Sequence, residues 1–163
     1  MRAYVGVGTN LGDRWGKLAL AARELRAEPR IALVRASRVW DAAPLGPPQP
    51  RYLNAVLELE TGLPATALLA ALQHVEDEGG RKRTGERWAA RTLDVDLLLY
   101  GDEVIRLPDL AVPHPGLVHR RFVLVPLAEL CPDRVVPGTG CTVARLLALA
   151  APEDLVSAGR YPL

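Results

Sequence analysis

Residues 93–100, LDVDLLLY, read as a β-strand that is apolar at every position except Asp94 and Asp96. Upstream, TALLAALQHVEDE (66–78) has helical periodicity, with Pro64 suited to the first turn and Gly79 and Gly80 to stop it. Further back, YLNAVLELE (52–60) and residues 31–40 are strand candidates, separated by the proline-rich loop APLGPPQP (43–50). Residues 13–28 read as a helix with Asp13 as N-cap, and RAYVGVG (2–8) as the opening strand. Downstream, a Gly101-Asp102 turn leads into EVIRL, and LPDLAVPHPG (107–116) is broken by prolines. A helix around 120–130, a short strand near 134–136 and a helix at 142–150 then close the chain.

The order β-α-β-β-α-β is that of the split βαβ arrangement. It predicts an α+β fold, a ferredoxin-like βαββαβ core whose antiparallel sheet carries packed helices. With 163 residues and no repeat or linker, residues 1–163 are expected to form a single domain. A net charge of +1 gives no support to a nucleic-acid or membrane-surface role. The apolar start is too short for a secretory signal, and no run approaches the roughly 20 apolar residues of a membrane span, so the expected location is the cytoplasm. Cys131 and Cys141 lack metal-ligand spacing and are expected to be reduced structural thiols.

Residues two apart on a strand share a face, so Asp94 and Asp96 point together, about 7 Å apart at Cα. Leu93, Val95, Leu97 and Leu99 are expected to pack the opposite face. Two like charges so placed repel and lose hydration unless cations meet them. Arginine pairing is one answer, and Arg81, Arg83, Arg87 and Arg91 could supply it. A divalent metal is the other, because Mg²⁺ takes one or two carboxylates and completes its shell with water and phosphate oxygens. Segment 81–91 holds more cation than two carboxylates require, and surplus guanidinium beside metal-loaded carboxylates makes a phosphate clamp. With three glycines and dense like charge, segment 79–92 is expected to be a mobile lid that orders only when ligand is bound.

Other signals are less specific. GVGTNLGD (6–13) reads as a glycine-rich strand-to-helix turn, either a phosphate cradle or simply a tight turn, since Leu11 breaks the dinucleotide fingerprint. Tyr52 and Asn54 share a strand face and suit a flat heterocycle with polar edges, or a packed tyrosine beside a hydrogen-bonded amide. His114, between two prolines, is either a surface histidine or one with basic company in Arg120 and Arg121.

The stretch RWAARTLDVDLL (87–98) resembles the signature of the 6-hydroxymethyl-7,8-dihydropterin pyrophosphokinase family. The likeness continues through VGVGTNLGDR (5–14), APLGPPQPRYLNAVLELET (43–61) and VPHPGLVHRRFVLVPLAEL (112–130). It implies pyrophosphate transfer from ATP, as co-substrate, to the pterin hydroxymethyl group. Asp94 and Asp96 would hold two Mg²⁺ ions, and Arg81 and Arg91 would clamp the β and γ phosphates as catalytic residues. His114 and Arg120 would add phosphate contacts, with Gln73, Glu76, Arg83 and Trp88 completing the ATP side. The pterin would stack between Tyr52 and Phe122, with Asn54 reading its edge, Ala42 to Leu45 contributing main-chain groups and Trp88 nearby. The chain is expected to act as a monomer without nucleic-acid or membrane partners. Ala89-Ala90 replaces the family's common Gly-Pro, and Ala42 stands where threonine is common. A metal-dependent nuclease or nucleotidyltransferase would also use D-x-D with arginine, but near-neutral charge counts against it. A non-catalytic RNA-binding module would need sheet-face aromatics that its strands lack.

Overall fold

The structure, a computed structural model, describes residues 1–44, 46–80 and 93–163. Strand β1 (Arg2–Thr9) leads into helix α1 (Arg14–Ala27), whose first turn is capped by Asp13, its carboxylate accepting the Gly16 N–H at 3.0 Å. Strands β2 (Ile31–Ala36), β3 (Val39–Ala42) and β4 (Tyr52–Thr61) follow, then helix α2 (Ala65–Glu78) and strand β5 (Asp94–Tyr100). These elements realise the expected βαββαβ order with its second strand split into β2 and β3. β1 lies between β4 and β5, antiparallel to both, and β2 and β3 both pair with β4.

The segment expected as one strand over 31–40 is two. β2 pairs with residues 57–61 of β4 and β3 with residues 52–54. Between them Ser37 repairs the ladder: its hydroxyl accepts the Val56 N–H at 2.9 Å and donates to the Arg38 carbonyl at 2.7 Å. A side chain here replaces a missing backbone partner, so the strand bends without leaving Val56 unsatisfied.

Beyond β5 come a hairpin of β6 (Ile105–Leu107) and β7 (Leu110–Val112), then helix α3 (Arg121–Leu130). A second small hairpin, β8 (Val135–Val136) with β9 (Cys141–Thr142), runs into helix α4 (Val143–Leu149). The chain does not close on that helix as expected: strand β10 (Leu155–Gly159) follows and extends the sheet beside β3. β7 and β10 are too short, and β10 too exposed, to carry a readable alternation. Among the described residues, no helix is long and apolar enough to cross a membrane.

The two faces of the sheet are used differently. On one, Leu18 and Leu25 of α1 and Leu68, Leu72 and Val75 of α2 pack on Val5, Val7, Leu57 and Leu59. On the other, Leu124 and Leu127 of α3 and Val143 and Leu146 of α4 pack on Tyr4, Val56, Leu98 and Leu99. Leu99 was expected with Leu93, Val95 and Leu97, but it faces the other way. Between Tyr4 and Val5 the register slips, so Tyr4 pairs with Leu99 while Val5 pairs with Leu97, and Leu98 is the extra residue. A bulge of one residue reverses every later side chain, which sends Leu99 to the α3 side and Tyr100 to the α1 and α2 side.

Candidate active site

Helices α3 and α4 cover only part of their face of the sheet, and the uncovered part is a cleft of about 300 Å³. The pairing register states what forms its floor. Asp94 of β5 lies opposite Gly8 of β1, and Gly8 lies opposite Asn54 of β4; one step along, Asp96 is opposite Gly6, and Gly6 opposite Val56. The acids and the amide therefore stand on one face at the two sides of a strip that has no side chains. Gly6 and Gly8 lie within β1, the opening strand expected over residues 2–8, which runs on to Thr9; both line the cleft, a position that the reading of GVGTNLGD as a turn did not anticipate.

Of the residues singled out from the sequence, Ala42, Tyr52, Asn54, Asp94, Asp96, His114, Arg120 and Phe122 line this one cleft. Gln73 is exposed on α2. Glu76 is buried, and its Oε2 accepts the N–H of Val95, the residue between the two aspartates, at 2.9 Å. Leu45, Arg81, Arg83, Trp88 and Arg91 lie outside the described residues, as does the lid expected over residues 79–92 apart from Gly79 and Gly80.

The cleft has two chemically distinct ends. At the first, Glu76, Asp94 and Asp96 each bring one carboxylate oxygen within 4.8 Å of the others. Three hard oxygen donors at that spacing fit a Mg²⁺-type cation. His114 stands beside them, its backbone N–H donating to the Leu98 carbonyl at 3.0 Å. Its Nδ1 accepts the Gly116 N–H at 3.0 Å, so the neutral ring carries its proton on Nε2, which lies 3.8 Å from Asp96 Oδ2. Burial lowers the His114 pKa, as does the Arg120 guanidinium, while Asp94 acts in the opposite direction. Burial and Arg120 thus favour the neutral ring, which with Nδ1 accepting from Gly116 presents an Nε2–H donor.

At the second end the lining is more apolar. Tyr52, Ala42 and Ala43 form one wall and Phe122 and Val123 the other, with the Arg120 guanidinium carbon 5.8 Å from the Phe122 ring centre. Asn54, two residues along β4 from Tyr52 on the same face, is 8% exposed. Its Nδ2 has no hydrogen-bond partner among the described residues. A buried amide donor left unsatisfied costs about 1–3 kcal/mol, so this end suits a flat ligand with an acceptor on its edge.

A family model for 7,8-dihydro-6-hydroxymethylpterin-pyrophosphokinase matches residues 4–132, which stops short of α4 and β10. Curated proteins named 2-amino-4-hydroxy-6-hydroxymethyldihydropteridine pyrophosphokinase are similar. The one from Synechocystis is 41% identical over 145 residues, covering 89% of this chain and 74% of its own length. The one from Haemophilus influenzae is 42% identical over 138 residues, covering 84% and 86%. Among solved structures, wild-type Plasmodium falciparum HPPK-DHPS with pteroate superposes with a TM-score of 0.72 at 13% identity, which speaks to the fold alone. The match covers 91% of this chain but only 42% of that longer one.

Proposed function

This chain belongs to the 7,8-dihydro-6-hydroxymethylpterin-pyrophosphokinase family, and from that premise we propose how its cleft moves pyrophosphate from ATP to 6-hydroxymethyl-7,8-dihydropterin. In this transfer the hydroxymethyl oxygen attacks the β phosphorus, the bond from that phosphorus to the α-phosphate oxygen breaks, and AMP leaves. The hydroxyl proton is released, and the pterin diphosphate passes on to folate synthesis.

Asp94 and Asp96 would hold two Mg²⁺ ions, with Glu76 behind them fixing the strand through Val95. Bound there, Mg²⁺ would supply charge neutralisation on the phosphates and make the attacking hydroxyl more acidic. The chain's own residues do the positioning. His114 donates its Nε2 hydrogen towards phosphate oxygen, and Arg120 adds fixed positive charge. Arg81 and Arg91 take the β and γ phosphates, with Arg83 and Trp88 on the same side and Gln73 reaching the nucleotide from the exposed surface of α2. Tyr52 and Phe122 sandwich the pterin, Asn54 Nδ2 donates to its edge, and Ala42 to Leu45 with Trp88 complete that pocket. The glycine strip between the two ends lets the hydroxymethyl group and the phosphates approach the sheet closely, without side chains in the way. We further propose that residues 1–163 act as one domain and one monomer in the cytoplasm, with no nucleic-acid or membrane partner.

One observation carries this reading: the Asn54 Nδ2 donor, without a partner among the described residues, and the Asp94 and Asp96 carboxylates stand on the same sheet face, separated only by glycine. Incubation with ATP, Mg²⁺ and the reduced pterin, followed by identification of both products, is the test. AMP with pyrophosphorylated pterin supports it, whereas ADP would mean ordinary phosphate transfer and overturn it.

A further inference from the structure

The two walls of the aromatic end come from distant parts of the chain, Tyr52 with Ala42 and Ala43 on one side and Phe122 on the other, and something must hold their separation. We infer that Glu153 and Asp154 do this: two adjacent residues just before β10 bridge the walls and so set the gap into which the flat ligand slides. The inference rests on the reading of that end as the pterin site.

Each residue holds one wall. Glu153 Oε2 accepts the backbone N–H of Arg121 at 3.0 Å. Arg121 is the first residue of α3, between the cleft residues Arg120 and Phe122, and that helix has no capping side chain of its own. A carboxylate at the amino end of a helix is favoured by the exposed N–H groups and the helix dipole, so Glu153 anchors α3 at the turn that carries Phe122. The Arg121 side chain adds a second tie, donating to the Leu147 carbonyl of α4 at 3.3 Å.

Asp154 reaches the opposite wall by two routes. Its carbonyl accepts the Ala43 N–H at 3.1 Å, and Leu155 then pairs with Ala42 in the β10–β3 ladder. Its carboxylate takes two nitrogens of Arg51, at 2.6 and 3.2 Å, and the remaining fork of Arg51 contacts Asp41. Arg51 directly precedes Tyr52. A planar guanidinium gripped by one carboxylate on β3 and one just before β10 fixes the strand end that presents the ring. Consecutive residues in one stretch of backbone are a short, stiff spacer, since neighbouring Cα atoms are a fixed ~3.8 Å apart. Neither residue lines the cleft, so both are positioning residues.

The test uses the full chain and five variants: Glu153→Ala, Glu153→Gln, Asp154→Ala, Arg51→Ala and the double Arg51→Ala/Asp154→Ala. Binding of 6-hydroxymethyl-7,8-dihydropterin and of a non-hydrolysable ATP analogue is titrated separately by fluorescence, and each melting temperature is recorded. Glu153→Ala and Asp154→Ala should each weaken pterin about tenfold, the scale of one lost charge-assisted hydrogen bond, with ATP analogue affinity within about twofold. Glu153→Gln keeps an acceptor oxygen and should recover most of the loss. The double variant should lose less than the sum of its single changes. Folded alanine variants that bind pterin like the parent overturn the inference. So do variants that lose pterin and nucleotide equally with a lowered melting temperature, because the segment is then only structural. Tyr52→Ala and Phe122→Ala serve as controls: if both bind pterin normally, it is the assignment of the pterin end that fails.

Discussion

Gly8 faces Asn54 across the β1–β4 ladder, and a Cβ built on Gly8 would lie 3.0 Å from Asn54 Oδ1. That is closer than such contacts normally run, and the amide would have to shift by a few tenths of an ångström. Gly8→Ala should therefore leave the strand intact but turn the amide and weaken pterin roughly tenfold, the cost of mild overpacking, as a binding titration would show. Nucleotide affinity equal to the parent's would place the effect at this end, and an equal loss of both ligands would contradict it. At the other end, Asp94→Asn and Asp96→Asn should each reduce turnover by about three orders of magnitude, because metal electrostatics contributes several kcal/mol. Their melting temperatures should stay level or rise as like charge is removed. Either variant retaining most of its turnover at ordinary Mg²⁺ would end the metal assignment for that residue. The acids were legible in the sequence because polarity inside an apolar strand has no cheap explanation. The place of Gly6 and Gly8 in the cleft floor was not, since a strand glycine contributes only empty space and carries no side chain to mark the face it opens.

Among the elements, β5 shows where pattern reasoning stops. Alternation placed Asp94 and Asp96 correctly and then failed at Leu99, because a bulge is set by the partner strand and leaves no mark on the strand that carries it. α3 is tied to the sheet by chemistry that no periodicity reveals: Arg35 donates to the Leu130 carbonyl at 2.7 Å and to Glu58 at 3.1 Å, while Arg2 reaches Glu58 at 3.2 Å. Burial works to raise the Glu58 pKa, but hydrogen bonds from Arg35 and Tyr4 outweigh it and hold the carboxyl below its ordinary range. A depressed folded-state pKa adds stability that is present above the unfolded value and lost as pH falls through the folded one. Glu58→Gln should cost about 1–2 kcal/mol at neutral pH, a figure kept small because Arg35 is half exposed. The gap between parent and variant should close in acid, and urea unfolding at several pH values checks it; a gap independent of pH would rule out the ionic contribution. Burial also pushes the nearby Cys131 thiol up to about 11, which fits the inert structural cysteine expected from its spacing.

For the whole molecule, the division of the sheet into two faces separates stability from binding. Leu72→Ala, on the fully covered face, should destabilise by about 2–5 kcal/mol, as large-to-small changes in packed cores do. Tyr52→Ala, on the cleft face, should cost far less stability while weakening pterin by roughly 1–3 kcal/mol. Melts and titrations on the same pair of variants would compare the two, and similar losses of stability would contradict the division. The core order β-α-β-β-α-β was readable because long elements repeat their period several times. β10 was not, because five mostly exposed residues acquire their structure only from β3. That pairing also bears on the order in which the molecule is made. Residues 2–100 can assemble four antiparallel rows as they leave the ribosome, yet Ala42 and Ala43 wait for residues 154 and 155, more than a hundred positions later in synthesis. Tyr161, whose hydroxyl donates to the Leu18 carbonyl at 2.6 Å, arrives later still. A nascent chain stalled near residue 149 would thus hold its acids in place before its aromatic pocket is finished, and the half-made enzyme should take up nucleotide before it can take up its second substrate.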